Sequence, residues 1–303
     1  MSETKAFDKR KDKIYRNFIF GGIAGSVAKS VIAPLDRTKI YFQSTENRYS
    51  TLNALKFLKE IYNADGFFQL WRGNSATIVR IFPYAAIQYA AHEKYKTFFL
   101  RSSHANENHL VSKLKRFASG ALAGMTSVSI TYPLDFARAR MALTKYDKYH
   151  NIIHALKTVK TEEGFLALYK GYNSALVGCV PYSGIAFFTF ETLKEQRLAK
   201  LNSHSDTRIE RLDPVNNLIC GATAGILGQT ASYPLDIVRR RMQTGHVTGH
   251  DEYSGIIKTL KLVHKNEGFI HGLYKGISMN WIKGPVASGI SFTIFHQLQH
   301  YFE

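Results

Sequence analysis

Hydrophobic and polar positions follow the same order in three successive blocks of about one hundred residues. Each block opens with a long, mostly apolar stretch, first at residues 17–35, that contains two glycines four residues apart. The three glycine pairs are Gly21 and Gly25, Gly120 and Gly124, and Gly221 and Gly225. Small residues at this spacing let helix backbones approach closely, as they often do in membranes. The pattern predicts a closely packed long helix at the start of each block.

Each long stretch reaches a proline that is followed by an acid and then by a base. The prolines are Pro34, Pro133 and Pro234, spaced by 133 − 34 = 99 and 234 − 133 = 101 residues. The acid comes two residues after the proline and the base three residues after the acid, so both lie on one helix face. The six charged residues are Asp36, Lys39, Asp135, Arg138, Asp236 and Arg239. Their repetition predicts a ring of ion pairs that opens and closes.

A shorter helix and a second motif complete each block. Residues 51–63 carry leucine or isoleucine at helical spacing, which fits either a helix in a membrane interface or a helix in a soluble core. An acid–glycine pair and an aromatic–base–glycine triplet follow, first as Asp65-Gly66 and Trp71-Arg72-Gly73. The third copy, Glu267-Gly268 to Tyr274-Lys275-Gly276, has one extra residue before its aromatic. A second long helix is predicted after each triplet.

These features together predict an all-α membrane protein. It has six transmembrane helices and three short ones, arranged as three pseudo-symmetric repeats at residues 13–100, 111–200 and 213–301. A short basic tail, residues 1–12, precedes them, and the linkers between repeats are brief and polar. An even number of spans places both termini on one side of the membrane. Basic residues concentrate between the two long helices of each repeat, which is typical of a matrix-like or cytosol-like face.

Composition narrows the classes of function. The chain has 303 residues, 45% of them hydrophobic, and a mean hydropathy of −0.18, which is low for a protein embedded in lipid. Amphipathic helices with lipid on one side and a wet cavity on the other reconcile these facts. A net charge of +17 predicts anionic partners: nucleic acid, anionic lipid or polyanionic small molecules. The two cysteines lie in different repeats, which excludes a disulfide framework, and no metal-ligand spacing occurs.

The three Pro-x-Asp-x-x-Lys/Arg motifs and the three Gly-x4/5-aromatic-base-Gly motifs resemble those of the mitochondrial carrier family. The resemblance covers nearly the whole chain, residues 13–301. It implies a six-helix bundle with one central site, alternating access between a matrix gate and a cytoplasmic gate, and three short helices on the matrix side. It further implies a monomeric, multi-pass protein of the mitochondrial inner membrane, with no enzyme activity, no cofactor and anionic lipid such as cardiolipin around it. A few family members lie in peroxisomes.

The resemblance also implies which residues form the gates. In the matrix gate, Asp36, Asp135 and Asp236 pair with the bases of neighbouring repeats, and Gln43 and Gln243 brace the pairs, with Ala142 at the third bracing position. In the cytoplasmic gate, the acid–base sets are Glu93 with Lys96 and Glu191 with Lys194. The third repeat has His296 and Gln299 at these positions. The cytoplasmic gate is therefore expected to close less tightly than the matrix gate.

The central site is expected where the repeats differ. Arg80, Gly178 and Lys283 lie seven residues beyond each signature glycine and match the family's three substrate contact points, with Cys179 beside Gly178. Tyr182 lies one turn further, where it can stack on an adenine, although an aromatic there also fits the core. Lys29, Arg80 and Lys283 resemble the phosphate-holding cations of adenine-nucleotide carriers. The alternatives are lipid-anchoring roles for Arg80 and Lys283, a structural role for Lys29, and simple packing for Cys179.

Within the family, residues 33–39, 71–77, 83–88 and 276–285 most resemble the mitochondrial coenzyme A carriers. This implies import of coenzyme A in exchange for ADP or adenosine 3′,5′-diphosphate. The run at residues 239–244 departs from the signature of the ADP/ATP translocases. Another carrier for ATP, AMP, NAD or a peroxisomal exchange remains open, as does dephospho-coenzyme A as substrate. The alternative from another class is a soluble, basic helical repeat protein that binds nucleic acid, but it leaves the charges after each proline unexplained.

Overall fold

The computed structural model describes the backbone of residues 2–101, 109–144, 147–203 and 212–302. Side chains are described for residues 16–99, 111–112, 114–144, 147–203 and 212–302. The charges of the predicted tail at residues 1–12 and most of the two predicted linkers lie outside these described residues.

Nine α-helices and no strand occur in the described part of the chain, in the predicted order of long, short and long in each repeat. The helices are α1 (Ser2–Ser44), α2 (Thr51–Asp65), α3 (Asn74–Arg101), α4 (His109–Leu143), α5 (Ile152–Glu162), α6 (Tyr172–Asn202), α7 (Pro214–Thr248), α8 (Ile256–Glu267) and α9 (Ile277–Phe302). The motif prolines lie inside α1, α4 and α7, so each helix continues past its proline as predicted. The expected all-α fold with three repeats is confirmed.

The six long helices form a closed ring. Within this ring α3 packs along α4, α6 along α7, and α9 returns to α1, so each repeat touches both others. The short helices α2, α5 and α8 all lie at one end, which we call the matrix end after the family resemblance. The opposite end, where Arg16 donates a hydrogen bond to the carbonyl oxygen of Phe302 at 3.1 Å, is called the cytoplasmic end.

The signature glycines allow the repeats to approach closely at the matrix end. Gly171 has φ +82°, and a Cβ there would lie 2.9 Å from the carbonyl oxygen of Arg239 in the next repeat. Gly73 is in the same situation, with φ +84° and 3.0 Å to the carbonyl oxygen of Arg138. Any side chain at these positions would combine an unfavourable left-handed backbone with a steric clash. This explains why the aromatic–base pair must end in glycine.

The extra residue in the third copy of the second motif has a visible structural effect. Residues 67–71 and 165–169 form 3₁₀ turns, whereas residues 269–273 form a single π turn. A π turn closes over one more residue than an α turn and two more than a 3₁₀ turn. The longer loop therefore still places Tyr274 against Tyr233, as the shorter loop places Tyr169 against Tyr132.

The distribution of polarity is that of a membrane protein with a polar interior. Large apolar side chains point away from the bundle, among them Ile130, Val180, Phe188, Ile282 and Phe292. Charged side chains are buried inside it, among them Asp36, Asp135, Arg140 and Arg241. By length and hydropathy, the described stretches Arg16–Ser44 and Phe165–Asn202 each suffice to cross a membrane. The interior charges dilute the apolar character of the helices, which accounts for the low mean hydropathy.

Candidate functional site

A cavity of about 430 Å³ lies inside the bundle, midway along the long helices. Five of the six predicted contact residues line it: Lys29, Gly178, Cys179, Tyr182 and Lys283. They come from α1, α6 and α9, so the site draws on all three repeats. The polar residues Gln229, Ser232 and Asn280 also line the cavity, although no sequence motif predicted them there.

Arg80, the sixth predicted contact residue, is not among the described residues that line this cavity. Its guanidinium group donates hydrogen bonds to Thr131 at 3.1 Å and to Asp135 at 3.2 Å, and it lies 5.2 Å from the ring centre of Tyr84. A cation in a poorly solvated interior is stabilised most by a nearby carboxylate. The structure therefore places Arg80 beside the gate rather than in the open part of the site.

Two of the three expected matrix-gate pairs are formed. Arg138 contacts Asp36, and the guanidinium group of Arg239 lies 2.8 Å from Asp135. Both acids are buried, with 5% and 2% of their surfaces exposed. The expected third pair differs, because neither Lys39 nor Asp236 has an ion-pair partner among the described residues. Both of these side chains line the central cavity instead.

The cations at the contact points explain this asymmetry. The ammonium group of Lys283 lies 2.7 Å from Asp36, and Arg80 lies 3.2 Å from Asp135, so each of these acids is held by cations from both other repeats. In the second repeat the same position is Gly178, which offers Asp236 no cation. The residue that breaks the threefold symmetry of the site thus also breaks the symmetry of the gate.

Glutamine side chains connect the gate to the second motif. Gln243 donates hydrogen bonds to Asp135 and to the hydroxyl of Tyr132, both at 3.0 Å. Gln43 donates to the hydroxyl of Tyr233 at 3.2 Å. Each tyrosine hydroxyl in turn donates to a main-chain carbonyl of the aromatic–base–glycine loop, at Lys170 (2.9 Å) or Lys275 (2.6 Å). Gln243 therefore joins a gate carboxylate to the loop, Gln43 reaches the loop only through Tyr233, and the methyl group of Ala142 can form no such hydrogen bond.

A further layer of buried cations lies below the gate, and it was not predicted from the sequence motifs. Arg140 pairs with Glu163 at 2.8 and 3.0 Å and donates to the carbonyl oxygen of Gln243 at 2.5 Å. Arg241 likewise contacts Glu267 and donates to the carbonyl oxygen of Thr45 at 2.7 Å. The two hydrogen bonds to carbonyl oxygens each join one repeat to the next. The signal in the sequence was an arginine seven residues after the proline, together with the glutamate of the acid–glycine pair.

The carboxyl group of Glu163 lies in the loop at the matrix end, outside the spanning segments. Burial raises the pKa of this carboxyl group, but the hydrogen bonds and charges of Arg140 and Lys170 outweigh burial and hold the pKa below its ordinary value of 4.5. Lys170 lies 3.0 Å away and adds to this effect. The group is therefore ionised at neutral pH and contributes most when charged.

The residues predicted for the cytoplasmic gate are arranged differently. Lys96 lies 3.8 Å from Glu93, which is three residues earlier on the same helix, and the Glu93 side chain is 72% exposed. Glu191 and Lys194 lie one turn apart on α6. In the third repeat, the Gln299 side chain donates to Asn17 at 3.3 Å. The described residues contain no group of three or more His, Cys, Asp or Glu side chains that could hold a metal ion.

Comparisons with known proteins agree with this architecture. The family profile described as "Mitochondrial carrier protein" matches residues 10–103, 110–200 and 210–303. The mitochondrial coenzyme A transporter of Xenopus tropicalis is 50% identical over 291 residues, covering 96% of this chain and 86% of the relative. The human protein of the same name is 48% identical over 287 residues, covering 95% and 88%. Human solute carrier family 25 member 16 is 38% identical over 301 residues, again covering 95% and 88%.

Three matches, one to each repeat, together cover almost the whole chain, and they agree with the ring of six long helices. The chain therefore belongs to the mitochondrial carrier family, as a multi-pass transport protein of the mitochondrial inner membrane and not an enzyme.

Proposed function

We propose that this carrier imports coenzyme A into the mitochondrial matrix in exchange for adenine nucleotides such as ADP or adenosine 3′,5′-diphosphate. The observation that carries the proposal is the uneven charge of the central cavity. Lys29, Lys39 and Lys283 line it together with Gly178 and Tyr182. Relatives that are 48–50% identical bear the name of coenzyme A transporter, which supports the same substrate class.

The chemistry of the substrate suits this arrangement. Coenzyme A and the proposed counter-substrates combine an adenine ring with clustered phosphates. Ammonium groups are strong donors to phosphate oxygens, and such charge-assisted hydrogen bonds are stronger than neutral ones. Gly178 leaves room for a flat ring, and the partly exposed Tyr182 on the same helix can stack on it. The cavity thus offers one cationic region and one flat region.

Substrate binding also provides a route to opening the matrix gate. Lys283 is held by Asp36 at 2.7 Å, so a phosphate that binds Lys283 competes directly with this carboxylate. Loss of Lys283 leaves buried Asp36 with Arg138 alone and weakens the junction of the first and third repeats. The differential affinity of substrate for the two gate states then drives the conformational change. Arg80 and Asp135 provide the equivalent link between the first two repeats.

The remaining parts of the transport cycle follow from the same layout. Once the matrix gate opens, Glu93 with Lys96 and Glu191 with Lys194 are expected to rearrange into pairs between repeats at the cytoplasmic end. The whole cavity lies within one chain, which favours a monomeric carrier. Exposed apolar side chains at the matrix end, such as Leu52, Phe68, Leu166 and Ile270, favour contact with the membrane interface, including anionic lipid such as cardiolipin. The protein requires no cofactor for this cycle.

Vesicle transport tests the proposal directly. Purified carrier is placed in vesicles that are either empty or preloaded with ADP, and uptake of labelled coenzyme A is measured. We expect uptake into preloaded vesicles only, and its loss in Lys283→Gln. Lys258→Gln is the matched control, because Lys258 is an exposed lysine on α8 at the matrix end.

The outcomes separate the main alternatives. Rapid ATP, ADP or NAD exchange without coenzyme A uptake would contradict the proposed substrate but leave the carrier mechanism intact. Equal uptake by empty and preloaded vesicles would contradict obligatory exchange. Equal loss of uptake in Lys258→Gln and Lys283→Gln would show that the effect does not depend on the central cavity.

A further inference from the structure

The third position of the matrix gate is occupied by two charged side chains that do not pair. Lys39 and Asp236 have no ion-pair partner among the described residues, whereas the equivalent acids Asp36 and Asp135 each contact cations from two other repeats. This difference is built into the sequence, because Gly178 stands where the other repeats supply Arg80 and Lys283. Among the described residues, no direct ion pair therefore occupies the ammonium group of Lys39.

Lys39 also lies in the right place to meet a substrate. It lines the same cavity as Lys29 and Lys283. Its ammonium group lies 5.4 Å from the ring centre of Tyr233, which makes a cation–π contact. Such a contact stabilises a desolvated cation less than a charge-assisted hydrogen bond to phosphate does. A phosphate that enters the cavity can thus displace the weaker contact without first breaking an ion pair.

Comparison with Lys283 sharpens this point. Lys283 must give up Asp36, 2.7 Å away, before it can bind a phosphate. Neither Lys29 nor Lys39 has a carboxylate within ion-pair distance among the described side chains. Together they form the part of the cavity that can attract an anion at the lowest cost, and Lys39 is the deeper of the two because it lies past Pro34, in the gate motif.

We propose that Lys39 is a substrate ligand that binds a phosphate group of the adenine nucleotide moiety, in addition to its place in the gate motif. The proposal rests on the proposed function and adds a phosphate subsite to it. Lys39 would hold the substrate against the floor of the cavity, next to the ion pairs that must open. Recognition of phosphate and opening of the gate would then share one residue.

The test compares ligands that differ in phosphate content. Equilibrium binding of adenosine, AMP, ADP and adenosine 3′,5′-diphosphate is measured with purified full-length carrier, in the wild type and in Lys39→Gln. If Lys39 binds phosphate, Lys39→Gln weakens the phosphate-bearing ligands by about tenfold or more, the factor expected for a charged hydrogen bond. Adenosine, which has no phosphate, is bound equally by both proteins. Lys39→Arg should keep most of the affinity for phosphate.

Arg138→Gln is the matched control. Arg138 is the gate cation of the second repeat, it pairs with Asp36, and it is not among the described residues that line the cavity. This change is expected to alter the affinities for all four ligands by one common factor, because it acts on the conformation and not on a phosphate. Thermal unfolding without ligand checks that both variants are folded.

The outcomes are distinct. If Lys39→Gln changes the affinities for all four ligands by one common factor, as Arg138→Gln is expected to do, the proposal is overturned and Lys39 is a gate residue only. Wild-type protein that binds adenosine as tightly as its phosphates would overturn the proposed function as well. Retained phosphate preference in Lys39→Gln, with normal coenzyme A transport by the wild type, would overturn the Lys39 subsite alone.

Discussion

The two ends of the helical bundle carry similar charged residues but use them in different ways. At the matrix end, Asp36 is buried and contacts Arg138 and Lys283, which belong to the two other repeats. At the cytoplasmic end, Glu93 is 72% exposed and its described partner, Lys96, lies on the same helix. Asp36 thus joins three repeats, whereas the described ion pair of Glu93 stays within one helix.

This difference bears on which end of the central cavity is closed. Buried ion pairs beneath the cavity hold the repeats together, so the cavity is closed toward the matrix. The Glu93–Lys96 pair cannot hold repeats together because both residues belong to α3. With the ends named after the family resemblance, we infer a carrier that receives substrate from the cytoplasmic side. The contrast also predicts where substitutions should matter most.

The largest expected effect is that of Asp135→Asn. Asp135 faces Arg80, Arg239 and Arg240 at 2.8–3.2 Å, and its removal leaves three cations without their shared carboxylate. Loss of one partner from a buried ion pair typically costs about 3–5 kcal/mol. Thermal unfolding in detergent should show a large fall in stability, and transport should be lost.

Glu93→Gln is the matched control for that experiment. The same loss of charge at an exposed position should change the free energy of unfolding by no more than about 1 kcal/mol. Equal destabilisation by the two substitutions would contradict the proposed difference between the ends.

The next largest effect is expected for Glu163→Gln, which removes the carboxylate from fully buried Arg140. About 3 kcal/mol is expected for an uncompensated buried cation. Because the pKa of Glu163 is lowered below 4.5, its contribution is present above that pH and is lost as the pH falls through the lowered value. The difference in melting temperature between wild type and Glu163→Gln should therefore shrink in acid. A difference that grows in acid would contradict the ion pair.

The smallest effects are expected for the braces, and they should be unequal. Gln243 donates hydrogen bonds to both Asp135 and Tyr132, whereas Gln43 donates only to Tyr233 in the described structure. Gln243→Ala should cost about 2 kcal/mol, because one of its bonds is to a charged group, and Gln43→Ala about 1 kcal/mol. The free energies of unfolding of both variants are measured under the same conditions. A larger loss in Gln43→Ala than in Gln243→Ala would show that the bond to Asp135 contributes little.

Much of the fold could be predicted from the sequence, because helices obey local rules. Three copies of each motif fixed the order of the helices and identified Gly73 and Gly171 as special positions. The low hydropathy also had a local cause, since charged residues such as Arg241 interrupt the apolar stretches. Membership of the carrier family then excluded the soluble nucleic-acid-binding alternative.

The partners of the charged residues could be predicted only in part. The motif predicted that each acid pairs with a base of a neighbouring repeat, as Asp36 and Asp135 do, whereas Asp236 and Lys39 form no ion pair within the described structure. Arg80 was expected in the open cavity and lies against Asp135 instead. The partner of each cation depends on which carboxylate of another repeat lies nearest to it in space. The spacing of residues along one helix does not give the distance between side chains on different helices.

The two cysteines allow the most direct test of the central claim, a substrate cavity that is closed only toward the matrix. Cys179 lines the cavity and Cys220 is buried. In Cys220→Ser protein, a membrane-impermeant thiol reagent is applied to either face of oriented vesicles, without substrate. We predict labelling of Cys179 from the cytoplasmic face only, and protection by adenosine 3′,5′-diphosphate, which has no thiol of its own. Equal labelling from the matrix face, or labelling that the nucleotide does not slow, would contradict the account.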